Sequence, residues 1–128
     1  MKRKNEALIE IRGKSIETIF DNSSTEEKFQ NQTLRPILKF QNDLLIEVFR
    51  NYACKQKNVF FSLTPEKKMI YIDKVIQRDI KFRNLIKGII IGFFTISEYK
   101  DYIQNSSKIN KRMMNLLIER LKNQLQII

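Results

Sequence analysis

The sequence predicts an all-α protein, a compact bundle of about five helices around an apolar helix near residues 80–94. Three observations carry that prediction. Apolar residues recur three and four apart along most of the chain, which sets them on one side of a helix. Hydroxyl residues with a glutamate two or three positions on, the signal that opens a helix, stand at Ser24, Thr64 and Thr95. A hydrophobic share of 42% with three glycines and two prolines suits a folded helical chain and excludes wholesale disorder. At 128 residues the chain has the size of one ordinary domain.

Taken in order, residues 1–4 are basic, but the acids that follow leave no apolar core for a secretory signal. Leu8 and Ile11 fit a short helix ending at Gly13, while the alternation through residues 8–19 also fits a hairpin. Residues 21–25, DNSST, read as a linker. Residues 1–23 are therefore expected to form a detachable arm and 24–128 a single helical domain. Ser24 and Glu27 have capping-box spacing, and Pro36 is expected to divide a short helix ending near Gln32 from a longer one over 34–55, with a single kinked helix as the alternative. The longer helix shows Ile37, Phe40, Leu44, Val48 and Tyr52 on one side, widened by Leu45 and Phe49.

Residues 59–63 form a brief apolar connector. Thr64, Pro65 and Glu66 supply a cap, a proline at the first helical position and an acid in the first turn, so a helix is expected over 65–77 with Met69, Ile72, Val75 and Ile76 buried. A break near Arg78 and Asp79 leads into the stretch at 80–94. There Phe82, Leu85, Ile86, Ile89 and Phe93 share one face, and Ile90, Ile91 and Phe94 fill the others, the pattern of an enclosed helix. Gly88 and Gly92 lie one turn apart on its flank, where tight internal packing is expected. The apolar run is too short to span a bilayer. A short helix from Thr95 to about Gln104 should turn Ile96, Tyr99 and Ile103 inward. The last helix, 108–125, carries Met113, Met114, Leu117, Leu121 and Leu125 in a wide arc opposite Lys108, Lys111, Arg112 and Lys122.

Chemistry finds little purchase in these letters. With no histidine, the commonest general base and the commonest metal ligand are both missing, and one cysteine, Cys54, supplies neither a disulfide framework nor a zinc site. No glycine-rich phosphate loop and no nucleophile elbow occur. Asp43 and Glu47 are one helical turn apart without a third ligand, and pairs such as Asp73 with Asp79 or Glu98 with Asp101 read as surface charge. The expectation is a non-enzymatic cytoplasmic protein without cofactor or metal. A half-buried thiol at Cys54 fits a reducing compartment.

Charge is the informative quantity. The formal net charge is +10, with eleven basic against eight acidic residues in 1–64 and thirteen against six in 65–128. Twenty isoleucines, sixteen lysines and eleven asparagines are the bias an AT-rich genome would impose, so codon usage is an alternative source for part of the basicity. The candidate nucleic-acid contacts are Lys81, Arg83 and Lys87 in one run and Lys108, Lys111, Arg112 and Lys122 in the other. If their helices are neighbours the runs merge into one face. Lysines outnumber arginines two to one, which suits diffuse phosphate contact and points to RNA or the ribosome rather than sequence-specific DNA. Tyr99 and Tyr102 are the aromatic candidates for stacking. The alternative is an interaction protein, docking an acidic protein or another partner on the apolar arc of the last helix.

The stretches at residues 29–36 (FQNQTLRP), 80–84 (IKFRN) and 110–114 (NKRMM) resemble a group of small flavobacterial-type bacterial proteins that carry the label glyoxalase. The resemblance runs from about Phe29 to the C-terminus. It implies lactoylglutathione or methylglyoxal chemistry at a metal site rich in histidine and glutamate. This chain departs from that pattern in having no histidine and no βαβββ order, so no catalytic residue carries over.

Overall fold

The structure is a computed structural model and describes residues 2–13 and 24–128. Every regular element among them is helical. Helix α1 (Lys2–Arg12) ends at Gly13, whose φ of +78° is the left-handed conformation expected of a terminator, with its N–H on the Glu10 carbonyl at 3.3 Å. Residues 14–19 of the hairpin alternative and 21–23 of the linker lie outside the described residues.

Ser24 opens α2 (Thr25–Phe29), its hydroxyl accepting from the Glu27 N–H at 3.1 Å. The chain then widens into a π-helical stretch (Gln30–Leu34) and continues as α3 (Arg35–Phe40). Phe29, Leu34 and Arg35 all keep helical dihedrals, so the three segments form one rod and Pro36 does not break it. In the wider turn the Arg35 N–H reaches the Gln30 carbonyl, five residues back, which relieves the contact a proline ring makes with the preceding turn. The break falls at Gln41, and α4 (Asn42–Lys55) follows. The helix expected over 34–55 is therefore two.

That break resets the helical phase. α4 buries Leu45, Ile46, Phe49 and Ala53, while Phe40 and Leu44 stand 46% and 47% exposed and Val48 and Tyr52 sit at the edge. The stripe expected through Phe40, Leu44 and Val48 is rotated outward. Cys54, beside buried Ala53, is exposed rather than half-buried.

A 3₁₀ turn (Val59–Ser62) plugs Phe60 into the core. Thr64 caps α5 (Pro65–Arg78), its hydroxyl accepting from the Lys67 N–H at 3.3 Å. Thr64→Ala is expected to cost about 1 kcal/mol, read as a lower midpoint in thermal unfolding. α5 buries Ile72 and Ile76, whereas Met69 is exposed. Asp79 ends α5 and starts α6 (Ile80–Ile91): its N–H binds the Val75 carbonyl at 2.9 Å and its carboxylate accepts from the Phe82 N–H at 3.0 Å. No loop is needed between them. Thr95 and Glu98 form a full capping box at the start of α7 (Ile96–Gln104), and α8 (Ser106–Lys122) is followed by a 3₁₀ turn (Leu125–Ile127). With α2 and α3 as one rod there are seven helices among the described residues, against about five expected.

The enclosed helix is α8, not the stretch at 80–94. α8 buries Ile109, Met113, Met114, Leu116, Leu117, Ile118 and Leu121, most of its circumference, beneath α2, α5, α6, α7 and the π-helical stretch. α6 buries only the ridge Phe82, Ile86 and Ile90, spaced by four. Leu85 is 52% and Ile80 72% exposed. Nothing lies within 4 Å of where a Cβ on Gly88 would point, so that glycine borders open space rather than a tightly packed neighbour. The helix stops at Ile91, three residues short of the expected end, and Phe94 turns inward from the loop behind it, edge-on to Phe29 at 5.4 Å.

α7 is turned as well. Its inward face carries Glu98 and Tyr102, one turn apart, and Tyr102 donates to Asn110 Oδ1 at 2.6 Å. Ile96, Tyr99 and Ile103 are consequently exposed. An ion pair on the inner face displaced the apolar stripe.

Candidate nucleic-acid interface

α8 positions the basic side chains because its apolar arc is committed to the core. Leu117 and Leu121 are each 1% exposed and Met113 0%, which leaves Lys108 and Lys111 no direction but solvent. α5, α6 and the α2–α3 rod pack on either side and make the walls of shallow depressions along α8. In one, Arg83 of α6 stands opposite Lys111 and Asn115 of α8. In the next, Lys111 and Asn115 recur with Lys108, Arg112 and, from the other rod, Arg35. Lys111 thus joins the two basic runs.

The charges here are not equally available. Lys111 has no hydrogen-bond or ion-pair partner among the described residues. Arg112 donates to Gln30 Oε1 at 3.0 Å, a neutral partner that orients the guanidinium without cancelling it. Arg83 donates to the Gln77 carbonyl at 2.9 Å in the same way. Lys108 lies 3.8 Å from Glu26, whose carboxyl is held below its ordinary value by its own backbone N–H and then by the Asn105 amide. Glu119 also lines this face, so cations predominate on it without excluding acids.

The other expected contacts lie elsewhere. Lys122 is bound to Asp73 at 2.7 Å, across α8 and α5. Lys81 opens into a separate cleft between α4 and α6. Lys87 lines neither depression along α8. Of the stacking candidates, Tyr99 is exposed and Tyr102 is buried. Sequence reasoning passed over Arg35 and Arg120, which line a further depression at the end of α8. Burial, and then the nearby charge of Arg35, lower the Arg120 pKa. Their juxtaposition depends on the α3–α8 packing, which charge runs do not reveal.

Of the acids considered for catalysis, Asp73, Asp79 and Glu98 are engaged structurally, and Asp101 is exposed. Asp79 caps α6 and accepts from the Tyr52 hydroxyl at 2.7 Å. Glu98 accepts from both terminal nitrogens of Arg12 at 2.6 and 2.8 Å, from the Thr33 hydroxyl at 2.7 Å and from the Thr95 N–H at 2.8 Å. Glu47 pairs with Arg50 at 2.9 Å, and no cluster of three metal-ligating residues occurs among the described residues. No helix among them is long and apolar enough to cross a membrane.

Fold and surface together define an all-α protein with a cationic outer helix face. No known protein family, curated protein or solved structure matches the chain.

Proposed function

We propose that the protein is a non-enzymatic polyanion-binding protein whose partner is RNA, free or in the ribosome, held along the outer face of α8. The observation that carries this reading is the convergence on Lys111: Arg83 reaches it from one side, and Lys108 and Arg112 flank it on the other. A row of solvated cations on a convex helix, without bidentate arginine pairs aimed at one point, suits a phosphate backbone better than a base edge. The competing reading, a protein docked on the apolar arc of α8, loses its surface because Met113, Met114, Leu117 and Leu121 form the core.

The test is fluorescence anisotropy of a labelled single-stranded RNA over a salt series. Lys111→Glu with Arg112→Glu is expected to weaken binding and to flatten the dependence of log K on log salt by about 0.7 for each phosphate that the variant no longer neutralises. Lys122→Gln, which removes a cation already paired with Asp73, is expected to leave that slope unchanged. Equal slopes for the wild-type chain and the double variant would sink the proposal.

A further inference from the structure

Helix α4 keeps one unburied stripe. Leu44, Glu47, Val48, Asn51 and Lys55 share a side of the helix at the i, i+3, i+4, i+7 and i+11 positions, while Leu45, Ile46, Phe49 and Ala53 take the core side. The stripe borders a cleft of about 600 Å³ whose far wall is the start of α6, with Phe82 and Leu85. The floor is firm: the Tyr52 and Phe82 rings lie 4.6 Å apart, and the Tyr52 hydroxyl is tied to Asp79 at 2.7 Å. Leu44, Val48 and Leu85 are positions whose periodicity required burial, and the chain itself supplies no cover for them. Gly88, three residues beyond Leu85, has nothing within 4 Å of its missing side chain and so holds no incoming helix off.

Charge selects the occupant. The chain carries +10, yet the charged residues of this cleft are two acids, Glu47 and Asp79, and two bases, Lys55 and Lys81. A second copy of so basic a chain meets no excess of like charge here. The order of the charges matters as much as their balance. Glu47, Asn51 and Lys55 form one ridge of α4, the acid one turn before Asn51 and the base one turn after it. An antiparallel copy, related by a two-fold axis beside Asn51, sets each Glu47 against the Lys55 of the other, twice per pair. A parallel copy sets like against like. Asn51 and Lys55 have no side-chain hydrogen bond or ion pair among the described residues. Glu47 is bound only to Arg50 at 2.9 Å, an exposed pair three residues apart of the kind that contributes little.

We infer that the α4–α6 face binds a second copy of this chain, the two α4 helices packed antiparallel with Glu47 of each on Lys55 of the other and the apolar walls Val48 and Leu85 covered between them. The face shares no residue with the two depressions that meet at Lys111, so it stands or falls apart from the RNA reading. Sedimentation equilibrium of the nuclease-treated full chain tests it. A reversible monomer–dimer equilibrium is expected. Glu47→Lys and Lys55→Glu should each weaken the dimer about tenfold or more, because each change puts two like-charge pairs across the two-fold axis. Lys55→Glu also lowers the net charge, so a general repulsion between basic chains would move it the other way. An equimolar mixture of the two variants should dimerise as the wild-type chain does, since both contacts of the mixed pair are again opposite in sign. Both positions are exposed, and circular dichroism checks that each variant folds. A chain that is monomeric at millimolar concentration overturns the inference, as does a dimer that neither substitution weakens. A mixture that stays monomeric overturns the antiparallel register.

Discussion

Phe49→Ala is expected to cost about 3–5 kcal/mol, among the largest losses a single core truncation produces. The ring is fully buried on α4 and meets three others edge-on, Phe60 at 5.1 Å, Tyr71 at 6.3 Å and Phe82 at 6.3 Å. Those partners come from the 3₁₀ turn after α4, from α5 and from α6, so one side chain joins four consecutive elements. Phe60 in turn lies 5.2 Å from Tyr71 and carries the Lys68 ammonium 5.3 Å over its face. Deleting the ring removes its transfer free energy, the edge-to-face pairs at about 0.5–1.5 kcal/mol each, and leaves a cavity that rigid helices close poorly. Urea unfolding followed by circular dichroism measures the loss. Phe49→Leu, which refills most of the space, should lose distinctly less; equal losses would show that the cavity contributes little and that the ring pairs alone hold these elements together.

The sequence displayed that fold through its local signals and concealed it through its faces. Ser24, Thr64 and Thr95 act within three residues of themselves, so their caps could be read from the letters and stand where expected, as does the break at Asp79. Facing is a tertiary property. Leu85, Ile96, Tyr99 and Ile103 satisfy helical periodicity as well as their buried neighbours do, and only packing decides which stripe turns inward. α7 illustrates the reason: Glu98 occupies the inner position because Arg12, eighty-six residues away, meets it there. The same limit applied to the basic face. Lys108, Lys111 and Arg112 were visible as a run on one helix, whereas the approach of Arg83 and the withdrawal of Lys122 onto Asp73 depend on how α5, α6 and α8 lie together.

The Arg12–Glu98 pair is the second site of large effect, and Glu98→Ala is expected to cost about 3–5 kcal/mol because it leaves a buried guanidinium without its counter-charge. The Arg12 side chain is 3% exposed and that of Glu98 17%. Among the described residues Arg12 Nε already lacks a partner, and Nη1 holds the Phe93 carbonyl at 3.0 Å in addition to Glu98. Thr33, which completes the carboxylate's shell, belongs to the π-helical stretch, so the widened turn that accommodates Pro36 also aims a hydroxyl at Glu98. Burial by itself pushes the Glu98 carboxyl up. The bonds from Arg12, Thr95 and Thr33, with the charge of Arg12, outweigh burial and hold it below its ordinary 4.5. A depressed folded-state value means that the pair stabilises fully above the unfolded-state value and loses its contribution as pH falls through the folded one. Acid unfolding of Glu98→Gln should therefore be less steep below pH 4.5 than that of the wild-type chain. Because this pair fastens α1 to α7, its removal tests whether the N-terminal arm is detachable. Hydrogen exchange in α1 should become fast in Glu98→Gln while α8 keeps its protection, and a double variant, Arg12→Met with Glu98→Leu, should recover stability that either single change loses. Slow exchange of α1 in Glu98→Gln would mean that Leu8 and its apolar contacts, not the ion pair, hold the arm in place.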